Sequence, residues 1–248
     1  MTEVGRREQV PEAFDGVAHA YDRLVAVNPG YHAHLRLSAR RLVAAAGSTD
    51  GAGLRLLDLG CGTGASTAAL LAAAPRASIV AVDGSAGMLA EARAKDWPDR
   101  VTFHHARAEN LVESCVQGPF DGILAAYLVR NLEHRDATLR DLRDLLRRNA
   151  PIAVHEYSVA DSAVSRLVWA AVCRTVIIPM ARVVSGDATL YRYLRRSVVD
   201  FDGVRGFEAR LRRAGFTDVR TDKVPGWQRG IAHTFLGRRA ASAESSPN

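Results

Sequence analysis

The residues with the clearest chemical content are Asp58-Leu59-Gly60-Cys61-Gly62-Thr63-Gly64. An apolar run, Leu54-Arg55-Leu56-Leu57-Asp58-Leu59, leads into them and an Ala/Leu-rich stretch over 65–74 follows, so the glycines sit in a strand-to-helix turn. Residues without Cβ allow such a tight turn and let a ligand approach the backbone. A bare G-x-G says little, but two acids sharpen it. Asp58 stands at the end of the first strand, and Asp83 ends a second, Ser78-Ile79-Val80-Ala81-Val82-Asp83, 19 residues after Gly64. A carboxylate at that distance can hydrogen-bond a ribose diol. The ligand class is therefore adenosine-like. A pyrophosphate such as that of NAD would meet Asp58 at the helix N-terminus, against the usual preference for anions there. S-adenosyl-L-methionine, with a sulfonium, an ammonium and no phosphate, suits the pair of acids; a structural turn with surface acids is the alternative.

The elements that must position this loop read as strands and helices in alternation. After Asp83, Gly84 and a capping Ser85 open a helix over 85–95, followed by a strand over 101–104. A fourth strand over 120–126 leads to a helix over 136–148, with Leu139, Leu142, Leu145 and Leu146 at helical spacing, and a fifth strand spans 152–157. Such alternation requires right-handed crossovers and a doubly wound, mostly parallel α/β sheet of the Rossmann-like kind. Ligands then lie beyond the carboxyl ends of the strands, where the strand order reverses. The pattern changes after strand five to a long helical stretch over 160–199, read as a cap over that edge. A helix over 206–214 and strands over 218–224 and 233–237 complete seven strands. A single domain is expected: an N-terminal helical segment (1–50), a cofactor-binding core (51–158), a helical cap (159–203), a closing helix and strands (204–239) and a tail (240–248).

Composition narrows the classes. A chain of 248 residues that is 48% hydrophobic and 24% charged can bury a globular core, which excludes disordered and fibrous proteins. Cys61, Cys115 and Cys173 have no paired spacing, so neither a disulfide framework nor a metal site is expected, and a reducing cytoplasm fits. The polar start offers no signal peptide. The longest apolar run, 167–180, contains Arg174 and Pro179 and is too short to span a bilayer. A net charge of +6 would suit an anionic partner, yet the arginines are scattered, as on a solvated surface.

Taken together, residues 56–64 resemble the first motif of class I S-adenosylmethionine-dependent methyltransferases. Within that class the chain is similar to the quinone-ring C-methyltransferases of ubiquinone and menaquinone biosynthesis, over about residues 14–239. The likeness rests on Phe14-Asp15-Gly16-Val17-Ala18 with Tyr21-Asp22, Val129-Arg130-Asn131-Leu132, Glu156-Tyr157-Ser158, residues 191–198 and Ala214-Gly215-Phe216. It implies that Tyr21, Arg130 and Asn131 lie by the cofactor or acceptor, that Ala108 and Glu109 occupy the adenine-contacting turn, and that Tyr191 and Tyr193 help shape the acceptor pocket. The chain departs from the family at Ala106-Arg107-Ala108-Glu109, at Arg148-Asn149-Ala150-Pro151, at His155 and around Gly30-Tyr31-His32, as a divergent member would.

Methyl transfer from a sulfonium is an in-line displacement, so the protein chiefly aligns the partners and excludes water. Methylating a hydroquinone carbon needs an ionised phenol and, later, loss of the ring hydrogen, which a general base assists. Arg130 could stabilise the phenolate and Asn131 orient a hydroxyl. His155 and Glu156, at the end of strand five, are candidate bases; a satisfied core histidine and a structural hydrogen bond are their alternatives. Tyr127, Tyr191 and Tyr193 could stack on an aromatic acceptor. The segment 167–180 with Trp169 reads as shelter for a prenyl chain, a peripheral membrane contact, core packing or a homodimer contact.

The first reading is thus methylation of a reduced prenylated quinone or related phenol. Other readings are C- or O-methylation of a small aromatic secondary metabolite, and a non-catalytic subunit that keeps the cofactor fold. Nucleic acid is not expected as a partner, because Ala126-Tyr127-Leu128-Val129 replaces the Asn/Asp-Pro-Pro-aromatic turn of base methylation and no basic aromatic tract is present.

Overall fold

A computed structural model describes residues 14–15, 18–26, 30–111, 113–114, 116–179 and 189–241. Seven strands form one sheet: β1 (Arg55–Leu59), β2 (Ser78–Asp83), β3 (Val101–His105), β4 (Gly122–Ala126), β5 (Pro151–Tyr157), β6 (Phe216–Lys223) and β7 (Ala232–Arg239). Their order is β3-β2-β1-β4-β5-β7-β6, with β7 antiparallel to both of its neighbours. The expected doubly wound, mostly parallel sheet is therefore present. Its order reverses between β1 and β4, so the loops leaving those two strands open side by side.

Eight helices flank the sheet among the described residues: α1 (Ala18–Ala26), α2 (Tyr31–Ala45), α3 (Ala65–Ala73), α4 (Ala86–Arg93), α5 (Arg135–Leu145), α6 (Ala163–Val172), α7 (Thr189–Val199) and α8 (Val204–Arg213). Strand side chains alternate between two buried faces. On β1, Leu57 and Leu59 join Leu139 and Leu142 of α5 and Phe207 and Leu211 of α8. Leu56 joins Leu35, Ala39 and Leu42 of α2 and Leu70 of α3. Because both faces are covered, β1, β2 and β4 read as nearly continuous apolar runs.

Most ends move by one to three residues from the periodicity, and three of the differences have a clear physical reason. Strand β4 starts at Gly122 rather than residue 120, because Phe120 makes only an isolated bridge to Leu146. Helix α5 stops at Leu145 for the same reason, and Asn149, at φ 62°, turns the chain into β5. The cap is not one helix: α6 passes into a π-helical turn, Cys173–Ile177, just ahead of Pro179, which has no N–H to continue an α-helical ladder. Met180, residues 181–188, the side chain of Tyr191 and the tail from 242 lie outside the described residues.

The cap sits over the carboxyl ends of β4 and β5. Trp169 of α6 and Val198 of α7 are buried against Tyr157 and Val159, which close β5. In the same place α7 contacts the 3-10 turn Val129–Asn131 that follows β4. No described helix is long and apolar enough to cross a membrane.

Candidate active site

The loops after β1, β2 and β4 enclose one cleft, with about 930 Å³ of empty space including its open mouth. Of the residues expected to bind the cofactor, Gly60, Cys61, Gly62, Asp83, Gly84, Ala108, Glu109 and Tyr21 line this cleft. Gly62 has φ 55°, and a Cβ there would meet no protein atom within 4 Å, which leaves bare backbone open to a ligand. Gly64 differs. It has φ 92°, and a Cβ would sit 2.7 Å from Trp97, so this glycine serves packing and does not line the cleft.

The acids divide the work. Asp83 accepts the backbone N–H of Gly62 and of Ser85, each at 2.8 Å, and so ties the first loop to the second. Ser85 stays behind the wall: it caps α4 by accepting from Met88 N at 3.1 Å and donates to Asp15 at 2.5 Å. Asp58 also stays beneath the loop, where Oδ2 accepts from Ser66 at 2.8 Å and Thr67 at 2.6 Å. Its Oδ1 is buried with no hydrogen-bond partner. Burial pushes this carboxyl up to about 7, against the lowering effect of Thr67 and Ser66. An unpartnered carboxylate oxygen under a bare glycine loop is a feature that a cationic ligand completes. Cys61 is no nucleophile, since burial holds its thiol well above the ordinary range.

The wall from β4 carries Tyr127, Leu128, Arg130 and Asn131. Arg130 is only 4% exposed and pairs with Glu156 at 2.6 Å. It also donates through NH1 to Tyr127 O at 2.7 Å and through Nε to Ser197 Oγ at 3.3 Å. Burial opposes the guanidinium charge, but Glu156 outweighs it and the net shift is upward. Glu156 in turn accepts from Arg130 N at 3.3 Å and Tyr157 N at 3.0 Å. Asn131 accepts from the Tyr193 hydroxyl at 3.3 Å, which ties α7 to this wall.

Two sequence-based expectations need correction on geometric grounds. His155 does not line the cleft; it is wholly buried between Ser38 Oγ, 2.9 Å from Nδ1, and the Tyr127 hydroxyl, 3.0 Å from Nε2. Burial, with His34, Arg41 and His233 nearby, pushes it down to about 3, so it is a neutral core residue and a poor base. Glu156, also fully buried and off the cleft wall, is committed to Arg130 and is not a free base. Tyr193 reaches the site through Asn131 and is not part of the cleft wall.

The structure adds lining residues that sequence reasoning did not single out: Phe14, Tyr31, Thr63, Met88 and Arg107. Tyr31 stacks on Tyr127 with ring centroids 5.3 Å apart and shares a hydrogen bond with Tyr21. Thr63 lay inside the glycine motif and donates to Asp22 at 2.5 Å, which pins α1 over the loop together with the Lys95–Asp22 pair at 2.6 Å. For Tyr31 the local sequence carries no signal, because α2 meets β4 only through the tertiary fold.

A doubly wound sheet whose glycine loop, ribose-directed acid and capped cleft converge at the strand-order reversal is the architecture of a class I methyltransferase. The chain belongs to the ubiE/COQ5 methyltransferase family, whose model matches residues 1–238. It is 33% identical over 241 residues to a demethylmenaquinone methyltransferase of Clavibacter sepedonicus, covering 96% of this chain and 94% of that one. It is 30% identical over 234 residues to a ubiquinone/menaquinone biosynthesis C-methyltransferase of Agrobacterium fabrum, covering 92% and 87%. Among solved structures, the plantazolicin methyltransferase BamL superposes with a TM-score of 0.68 at 13% identity, over 94% of this chain and 96% of that one. The [4+2]-cyclase SpnF superposes with a TM-score of 0.65 at 16% identity, over 96% and 98%, which shows the same fold. The protein is a methyltransferase, and its cofactor is S-adenosyl-L-methionine.

Gly62 and Gly64 should separate binding from folding. Gly62→Ala is expected to fold with a cost of about 1–2 kcal/mol for its left-handed backbone and to lose cofactor binding. Gly64→Ala must add the Trp97 overlap and should lower the melting temperature further; calorimetry showing equal melting temperatures would refute the distinction. Asp58 gives a second expectation. It is protonated below about pH 7 and ionised above, so affinity for the cationic cofactor should rise about tenfold from pH 6 to pH 8. Isothermal titration of Asp58→Asn should lose this rise, whereas an identical pH profile would count against the assignment.

Proposed function

We propose that the protein transfers the methyl group of S-adenosyl-L-methionine to a ring carbon of a reduced prenylated quinone of the demethylmenaquinol type. The observation that carries this reading is the buried Arg130 guanidinium on the cleft wall, held by Glu156 beside the aromatic rings of Tyr31 and Tyr127. The names of the relatives support the same acceptor. Asp83, Gly84, Ala108 and Glu109 hold the adenosine part against Gly60, Cys61 and Gly62, while Asp58 and Ser85 act from behind the wall, Gly64 keeps the loop's packing and Tyr21 closes the top. The bound cofactor supplies an electrophilic methyl group.

The protein's own task is to make the acceptor ring electron-rich and to hold it in line. Arg130 stabilises the phenolate by a charge-assisted hydrogen bond, so the phenolic proton leaves to solvent through the open mouth at a lower pH than in water; once the carbon carries the methyl group, the hydrogen it replaces leaves as a proton to water by the same mouth and the ring regains its aromaticity. Asn131 orients a ring hydroxyl, with Tyr193 fixing its amide. Tyr127 and Tyr31 present stacking faces. Glu156 positions Arg130 and takes no proton. All segments act as one domain: the N-terminal helices bring Tyr21, Tyr31 and Leu35 to the cleft, and the cap braces its β4 wall through Ser197 and Tyr193.

Two assays test this. With labelled cofactor and a chemically reduced prenylated naphthoquinol lacking its ring methyl, mass spectrometry should find label on the ring carbon. Arg130→Lys should retain cofactor binding and lose about a hundredfold in kcat, since a lysine cannot reproduce the planar fork. Cofactor binding without any labelled quinol would instead favour a small aromatic acceptor, methylated at carbon or oxygen. The prenyl tail also implies a membrane, approached from the cytoplasmic side. Val164, Leu167 and Val168 are exposed on the outer face of α6, with Arg166 and Arg174 also exposed alongside. Co-flotation with anionic vesicles, lost in Leu167→Glu, is expected on this reading; absence of flotation together with a stable dimer in light scattering would assign the face to a second copy.

A further inference from the structure

Behind the cleft, on the α2 face of the sheet, a line of buried polar side chains is not accounted for by cofactor binding or by Arg130. Arg41 NH1 donates to Thr234 Oγ1 at 2.8 Å. Thr234 Oγ1 lies 2.7 Å from Ser38 Oγ, which lies 2.9 Å from His155 Nδ1. His155 Nε2 then lies 3.0 Å from the hydroxyl of Tyr127, a cleft-lining residue. Ser38, His155 and Thr234 are each fully buried. The outer end is anchored: Arg41 also donates to Lys223 O at 2.7 Å and faces Asp222 at 3.7 Å.

The direction of this line follows from proton counting. Arginine can only donate, so Thr234 must accept from it. A threonine oxygen has a single proton, and among the described residues its only other side-chain partner is Ser38. If the bonds ran outward from Tyr127, Thr234 would accept twice and its own buried proton would have no acceptor, which leaves a buried donor desolvated and unpaired. If they run inward, every group is satisfied. Thr234 donates to Ser38, Ser38 donates to Nδ1, and His155 donates from Nε2 to the Tyr127 oxygen. A tyrosine oxygen that already accepts a bond is left to donate its own proton, at rest to Tyr157 and, when the cleft is filled, to a ligand oxygen. Tyr127 is further singled out by its backbone, a non-glycine residue at φ 57°, and such outliers persist where the surroundings impose them.

We propose that Arg41, Thr234, Ser38 and neutral His155 are positioning residues, forming an inward-directed hydrogen-bond chain that orients and polarises the Tyr127 hydroxyl as a donor to the oxygen of the acceptor ring. The role assigned to Tyr127 rests on the phenolic-acceptor reading above; the direction of the chain does not. Consecutive bonds of one direction polarise one another, so the last donor is strengthened where negative charge develops on the ring oxygen. The protonation state of His155 is then fixed as a relay and not as a base.

Two measurements test the chain separately from the acceptor. In protein labelled with ¹⁵N-histidine, long-range ¹H–¹⁵N correlation spectra, assigned with His155→Gln, should show His155 neutral and protonated at Nε2 from about pH 5.5 to pH 8. An Nδ1-protonated ring, or an imidazolium within that range, would overturn the proposal whatever the acceptor proves to be. With the quinol assay, Thr234→Val should lower kcat roughly tenfold, the scale for groups that act through another residue, while the KM for the cofactor stays within about twofold. Thr234→Ser should restore kcat. Unchanged turnover in Thr234→Val, with the spectra as expected, would overturn the link to Tyr127 and leave the quinol reading intact.

Discussion

The pairing of Arg130 with Glu156 organises this active site. It joins the exit of β4 to the end of β5 across neighbouring strands, and the arginine's remaining bonds reach Ser197 on α7 and the backbone of Tyr127. Arg135 at the start of α5 adds a bond to Arg130 O at 2.6 Å. One residue thus registers two strands, a cap helix and a flanking helix against each other, through its side chain and its carbonyl. A buried ion pair is a poor way to gain stability, because desolvating both charges costs about as much as their attraction returns. An apolar pair of similar volume would hold the same elements together. What the apolar pair could not do is present a fixed, always charged donor on the wall of the cleft, which the proposed methylation of a phenolate calls for.

The cofactor half obeys a different logic. There the carboxylates of Asp58 and Asp83 belong to adjacent strands, and each lies in a setting that raises its pKa through burial. Asp83 spends its oxygens on the backbone of Gly62 and Ser85, so the loop geometry is fixed by a charge that also faces the cleft. Asp58 keeps one oxygen unsatisfied beneath the loop. A buried acid with an unpartnered oxygen, next to a second acid on the neighbouring strand that lines the cleft, suits a cationic ligand without phosphate. The wall around Arg130, by contrast, balances its charge through its internal pair with Glu156.

How much of this was legible in the sequence follows from how local each constraint is. The glycine turn and Asp83 were readable because a single strand-helix-strand unit fixes both, and the unit's length places the acid. The ends of β4 and α5 were not, because Phe120 and Leu146 find each other across the sheet edge and break the periodicity at both places at once. The π-helical turn in the cap depends on where Pro179 falls relative to Trp169 and Cys173, which must stay buried. His155 and Glu156 were read together as candidate bases because they are adjacent at a strand end. Adjacency is what separates them: successive strand residues point to opposite faces. Glu156 turns toward Arg130 and His155 toward Ser38 of α2, and neither direction can be assigned until the strand order is known.

That opposition explains why Tyr127 has so unusual a backbone. The residue follows β4 at the strand-order reversal, where the chain must leave the sheet and still give its N–H to His155 O at 2.7 Å. From one face Arg130 takes its carbonyl, and from the other His155 meets its hydroxyl. An extended conformation would carry the side chain onward along the strand, away from Tyr31. The left-handed turn instead folds the ring back onto Tyr31 and Tyr157 while leaving the carbonyl toward Arg130. A backbone strain of about 1–3 kcal/mol is tolerable only where several partners over-determine the residue, and here Arg130 holds the carbonyl while His155 holds the N–H and the hydroxyl. Tyr127 is therefore a point at which the two buried polar systems of this sheet meet, and it stands on the wall of the cleft.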